Sequence, residues 1–150
     1  MTAILPPLHK KTERRLFEVY AEASGRPLGS GIGILGEIVV ADSDQGARGL
    51  GENSSRFAAK VWFEPFGFRR GMADPDTGEF PPPEAALEEG YAFVGSVDTV
   101  CRQVEKVMGR LPIEWVFGWL FNSMIPHDKL MRTIELFQTQ VLPRVGARRG

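Results

Sequence analysis

Apolar and polar positions along this chain fall into alternating helix-like and strand-like blocks. Leu16, Val19, Tyr20 and Ala23 recur at i, i+3, i+4 and i+7 behind Thr12, which predicts a helix capped by that threonine and stopped by Gly25 and Pro27. Residues 31–41 then read as a strand, with Ile32, Ile34, Ile38, Val39 and Val40 supplying β-branched bulk, and Asp42-Ser43-Asp44 closes it as a turn or helix cap. Leu50, Phe57, Ala58, Val61 and Trp62 outline a second helix. Its first half is weakened by Gly46, Gly49 and Gly51, each costing about 1 kcal/mol relative to alanine. Periodicity is lost over residues 64–89, a long loop densest in proline at Pro81, Pro82 and Pro83. Ser96 then caps a helix whose Val97, Val100, Cys101, Val104, Val107 and Met108 share a face, and Gly109 ends it. Residues 113–121 form an apolar strand. Pro126 opens a final helix with Leu130, Ile134, Phe137 and Val141 on one side.

This alternation predicts an α/β fold with parallel strands joined by right-handed crossovers. Parallel strands are covered on both faces and flanked by neighbours. Two strands do not make such a sheet, and residues 113–121 are too apolar for an edge facing solvent. The pattern therefore predicts part of a sheet whose other strands come from elsewhere, although 150 residues suffice for one domain with a core of its own.

Composition narrows the function classes. The net charge is −1, with 43% apolar and 25% charged residues, so no basic footprint for nucleic acid exists. Arg144, Arg148 and Arg149 read as a solvated tail. No apolar run is long enough to span a bilayer and no leader pattern is present, so the expected compartment is the cytoplasm. Cys101 is the single cysteine and sits among valines, as a small buried hydrophobe rather than a nucleophile. With His9 and His127 far apart, no metal centre is expected.

Three stretches carry possible chemistry. Gly31-Ile32-Gly33-Ile34-Leu35-Gly36 satisfies the dinucleotide fingerprint G-x-G-x-x-G, yet its glycines lie within a strand instead of between a strand and a helix. The alternatives are a glycine-softened strand and a small nucleotide-binding module. Gly95-Ser96 ahead of a strong helix could hold an anion at the helix start or could serve only as its cap. In the loop, Trp62, Phe63, Phe66, Phe68, Arg69 and Arg70 combine aromatic and cationic groups suited to covering a flat anionic ligand; the alternative is a packed surface excursion.

Four stretches resemble the bacterial-luciferase-like, flavin-dependent monooxygenases: Tyr20-Ala21-Glu22-Ala23-Ser24-Gly25-Arg26; residues 34–44; Val94-Gly95-Ser96-Val97-Asp98-Thr99-Val100; and residues 126–143, which include Pro126-His127-Asp128-Lys129-Leu130-Met131-Arg132. That resemblance implies the C-terminal part of a (β/α)8 barrel, from its sixth helix to its eighth. A barrel takes roughly 250 residues, so it would be incomplete here, with residues 46–92 as the variable insertion over the active site. It implies reduced flavin mononucleotide (FMN), or a deazaflavin, acting with oxygen on a small organic substrate. Trp119, Asn122, Ser123 and Ser96 become the candidate cofactor contacts, and Phe68, Arg69 and Arg70 the candidate lid residues. No catalytic residue is singled out, because the family's main flavin contacts lie on earlier strands. The resemblance also implies a chain that pairs with itself or with a homologue, either as an enzyme or as a non-catalytic interaction partner.

Overall fold

Nine residues rich in isoleucine and valine form the central strand of the molecule, β2 (Ile32–Val40). The computed structural model describes residues 3–5, 8–58, 60–61, 64–80, 92–120 and 124–146. Three strands pair with β2, all in parallel: β1 (Ala3–Leu5), β3 (Ala92–Gly95) and β4 (Trp115–Trp119). Gly33 and Ile34 each pair with both β1 and β4, and Glu37 pairs with both Ala92 and Trp119. A strand has only two edges. β4 therefore holds one edge of β2, and β1 and β3 follow one another along the other.

The expected parallel α/β arrangement is present, with two corrections. The sheet has four strands within the chain, since β1 and β3 were not legible as strands: they are three and four residues long, too short to show a period of two. The last strand is also shorter than residues 113–121, and it is not a buried strand. Trp115 is 40% exposed, and Val116, Phe117 and Trp119 are half-buried.

Helices α1 (Lys10–Ser24), α4 (Val97–Arg110) and α5 (His127–Leu136) run between or after the strands. A π-helical turn, Phe137–Val141, and a short helix α6 (Leu142–Gly146) continue α5, so the final helix is not one regular α-helix. The main core joins Ile32, Ile34, Ile38, Val40 and Phe93 of the sheet to Phe17 of α1, Val100, Cys101, Val104 and Val107 of α4, and Leu136 and Val141 of the closing segment. α4 packs with the face its sequence predicts. α1 does not. His9 caps it, its Nδ1 accepting from the Lys11 amide at 3.4 Å, and the buried positions are Glu13 and Phe17, with Tyr20 packed against the core. Leu16 and Val19 face outward, 38% and 41% exposed. Arg110 of α4 lies 3.7 Å from Glu13 and helps compensate a carboxylate on the inward side. In the closing helix the buried set is Thr133, Leu136 and Val141, with Leu130 and Phe137 packed at its margin, while Ile134 is half-buried.

Of the three glycines that looked costly, Gly51 is a close-approach position, whereas a Cβ on Gly49 would meet nothing within 4 Å. α2 (Asp44–Ala58) lays Ala47, Gly51 and Ser54 inward, and a Cβ on Gly51 would stand 3.0 Å from Val94 of β3. Gly33 and Gly36 lie within β2, where the rings of Phe117 and Phe93 fill the space of the missing Cβ atoms. The fingerprint is a strand receiving two aromatic rings, its last glycine lying inside β2 and not at a helix start, so the nucleotide-module alternative fails. Within the long loop a five-residue helix, α3 (Phe68–Met72), is present. Trp62, Phe63, the proline triplet 81–83, Phe121, Asn122, Ser123, Arg148 and Arg149 lie outside the described residues.

Candidate functional site

Parallel strands direct their C-terminal ends to one rim, the end at which barrel enzymes place their chemistry. β2 delivers Ala41, Asp42, Ser43 and Asp44 to that rim, and β3 delivers Ser96. Between them lies a cleft of about 280 Å³ lined by Asp42, Ser96, Asp98, Arg132, Gln140 and Arg144. Its charges are paired. Arg132 donates to Asp42 at 2.7 Å and to Glu135 at 2.9 Å, and Arg144 donates to Asp98 at 2.6 Å. These carboxylates hold both guanidiniums above their ordinary pKa.

Asp44 is the most heavily engaged group on the rim. Its carboxylate accepts the Ser96 amide at 2.6 Å and the Thr99 hydroxyl at 3.1 Å, spanning from the first residue of α2 to the first turn of α4. The amide of Ser96, then its hydroxyl and that of Thr99, hold Asp44 below the usual carboxylate range. The Ser96 side chain makes no capping bond of its own; its hydroxyl lies 3.3 Å from that of Thr99. The anion expected at this helix start is thus a side chain of the protein. A flavin phosphate does not fit there, because it would meet the Asp44 carboxylate on the same donors, and the two nearby arginines already serve aspartates.

A second cleft, about 400 Å³, is lined by Thr12, Arg70, Gly71, Asp74 and Phe80. α1 returns antiparallel between parallel strands β1 and β2, so its first turn also stands at the rim. The loop is fastened to that turn. Lys11 reaches Asp74 at 3.0 Å and Asp76 at 2.5 Å, and the His9 amide donates to the Gly71 carbonyl at 2.8 Å. Asp74 also accepts the Asp76 amide, which together with Lys11 depresses its pKa.

Of the candidate residues, Ser96 and Arg70 line different clefts, and Phe68 and Arg69 belong to α3. Trp119 ends β4 in register with Glu37. Asn122 and Ser123 are outside the described residues. Sequence reasoning placed the 42–44 turn on the rim but missed its partners Arg132 and Thr99, because those pairings span 90 and 55 residues and leave no local signature. Among the described residues no group of histidine, cysteine and carboxylate side chains could hold a metal, and no helix is long and apolar enough to cross a membrane.

The architecture is a parallel α/β fold shared with part of two solved monooxygenase structures. The chain matches monooxygenase RslO1 from Streptomyces bottropensis with a TM-score of 0.71 and 21% identity, over 95% of this chain and 41% of that one. It also matches the oxygenating constituent of 3,6-diketocamphane monooxygenase from Pseudomonas putida, a type II Baeyer–Villiger enzyme in complex with FMN. There the TM-score is 0.68 and the identity 21%, over 96% of this chain and 42% of the other. The chain thus spans about two-fifths of the length of these solved structures. No family profile and no curated protein sequence matches it.

Proposed function

We propose that this chain is part of a luciferase-like, flavin-dependent monooxygenase that acts in the cytoplasm on a small organic substrate with reduced flavin and oxygen. The observation that carries the reading is the likeness over nearly the whole chain to two monooxygenases, one holding FMN. That FMN also favours a flavin over a deazaflavin. When bound, such a cofactor supplies the oxygen chemistry, and the protein holds it, excludes water and orients the substrate. The described rim offers the phosphate no seat at α4, so the contacts that hold it belong to other parts of a complete barrel. Arg70 and the loop fastened to α1 supply cover at the rim.

The test is a flavin fluorescence titration of the purified chain followed by an aldehyde-oxidation assay. A saturable quench with a Kd weaker than about 10 μM, equivalent to roughly −7 kcal/mol, is expected, with no oxygen-dependent turnover by the chain alone. Absence of any quench at about 1 mM flavin, near −4 kcal/mol, would sink the flavin reading. Stoichiometric binding with turnover would instead show that the chain is a self-sufficient enzyme.

A specific observation favours a second reading, a non-catalytic partner that assembles through its sheet. The outer edge of β4 has no strand beside it among the described residues, and Trp115 next to it is exposed. Such an edge is a template for pairing with another chain. Sedimentation distinguishes the cases: a monodisperse monomer at micromolar concentration with cooperative unfolding would refute the partner reading.

A further inference from the structure

Residues 67–79 close on themselves through their own hydrogen bonds. The Arg70 amide donates to the Gly67 carbonyl at 3.1 Å and the Ala73 amide to that of Arg70 at 3.3 Å, which winds α3. Asp74 then closes a tight loop: its amide donates to the Glu79 carbonyl at 2.8 Å, its carbonyl accepts the Gly78 amide at 2.8 Å, and its carboxylate accepts the Asp76 amide at 2.9 Å. The junction with α1 is of another kind. A backbone bond crosses it, from the His9 amide to the Gly71 carbonyl, Leu8 lies against Gly71, and ionic contacts complete it. Lys11 Nζ holds Asp74 at 3.0 Å and Asp76 at 2.5 Å, and His9 Nε2 stands 3.7 Å from Asp74. The Lys11 side chain is 48% and that of Asp76 70% exposed, so salt reaches this clamp.

We infer that residues 67–80 are a strap that docks on the first turn of α1 as one body, held by Lys11, and that removing or screening the Lys11 ammonium releases it without unravelling it. The cleft of about 400 Å³ has Thr12 on one side and strap residues from Arg70 to Phe80 on the other. It is formed only while the strap is docked. Lys11 is the control point because one ammonium serves two carboxylates, which repel each other once it is gone. The free amides at the start of α1 also favour those carboxylates, so the release is a shift in population and not a complete opening. Ionic strength thereby sets how much of the time the cleft is formed. The strap works in this way whether or not the chain binds flavin.

Amide hydrogen exchange of the ¹⁵N-labelled full chain tests it, because three amides report three different events. The His9 amide is bonded across the junction and reads docking, the Gly78 amide is bonded inside the strap and reads its integrity, and the Glu13 amide, bonded to the His9 carbonyl at 2.9 Å, reads fraying of α1. Lys11→Met should speed His9 exchange about fivefold, the size expected when one ammonium leaves two exposed carboxylates, with Gly78 and Glu13 unchanged within about twofold. Lys11→Arg should stay near wild type. Asp76→Asn should speed His9 about twofold in the wild type and add almost nothing to Lys11→Met, since both remove the same contact. Raising salt from about 0.1 to about 1 M, which shortens the screening length from roughly 10 to 3 Å, should speed His9 in the wild type and not in Lys11→Met. A His9 rate indifferent to Lys11→Met, a Lys11→Arg variant as fast as Lys11→Met, or strict additivity with Asp76→Asn overturns the clamp. A Gly78 amide that loses protection in step with His9 overturns the single body, and a Glu13 amide that does so shows fraying of α1 in place of release.

Discussion

Gly36→Ala tests how tightly the central strand is packed. A Cβ at this position would lie 2.4 Å from Cε2 and 2.8 Å from Cδ2 of Phe93, a ring with no exposed surface that is held among Ile38, Val100 and Val104. Two effects oppose each other. Alanine restricts the unfolded chain and stabilises by about 0.4–1 kcal/mol wherever the backbone accepts it, as extended β2 does. Overpacking a close-packed core costs about 1–3 kcal/mol, and a buried ring cannot swing away as a flexible chain end could. The clash wins, and a net loss of about 1–2 kcal/mol is expected. With a urea m-value near 2 kcal/mol/M, the midpoint should fall by roughly 0.5–1 M. Gly109→Ala is the control: its Cβ would meet nothing within 4 Å and it lies inside α4, so a gain of about 0.5–1 kcal/mol is expected. Phe93→Leu should relieve the clash, making the double variant more stable than the sum of the singles by about 1 kcal/mol. A Gly36→Ala midpoint equal to or above wild type, or strict additivity with Phe93→Leu, would refute the packing argument.

Thr133 is fully buried and its hydroxyl donates to the Val40 carbonyl at 2.8 Å; Thr133→Val keeps the volume and should cost about 1–3 kcal/mol by urea melting, whereas no change would mean that carbonyl has another donor. Asp44 has a folded pKa below the ordinary aspartate value of 3.8, so its contribution to stability is present above that pH and is lost as pH falls through the lower folded value. Thermal melts of wild type and Asp44→Asn should therefore differ at pH 6 and converge as pH drops below about 3.8; a gap that widens in acid would contradict the Ser96 contact. Cys101, 3% exposed in the core, should react with thiol reagents slowly when native and quickly in urea, and equal rates would place it at the surface.

What was legible in the sequence is what repeats locally. α4 shows its buried face because Val100, Cys101, Val104 and Val107 recur with the helical period and all pack on the sheet. β2 shows itself because it is central and apolar on both sides. α1 misleads for a non-local reason: Glu13 lies inward, with Arg110 of another helix 3.7 Å away. β1 and β3 owe their strand conformation to β2, not to their own few residues. The glycines of the false fingerprint illustrate the same point, since their purpose lies in Phe93 and Phe117, tens of residues onward.

The rim follows the same rule, with consequences for function. Ser96 was legible as a helix start with donors to spare, but the acceptor that occupies it, Asp44, enters from a different helix 52 residues earlier. A helix start attracts an anion whether that anion is a phosphate or a carboxylate of the protein. Which of the two applies is decided by the neighbouring strand's exit, and here β2 leaves directly into Asp44. The paired charges of Asp42 with Arg132 and Asp98 with Arg144 have the same logic: they fasten the closing helix to the two strand exits, leaving the rim electrically satisfied.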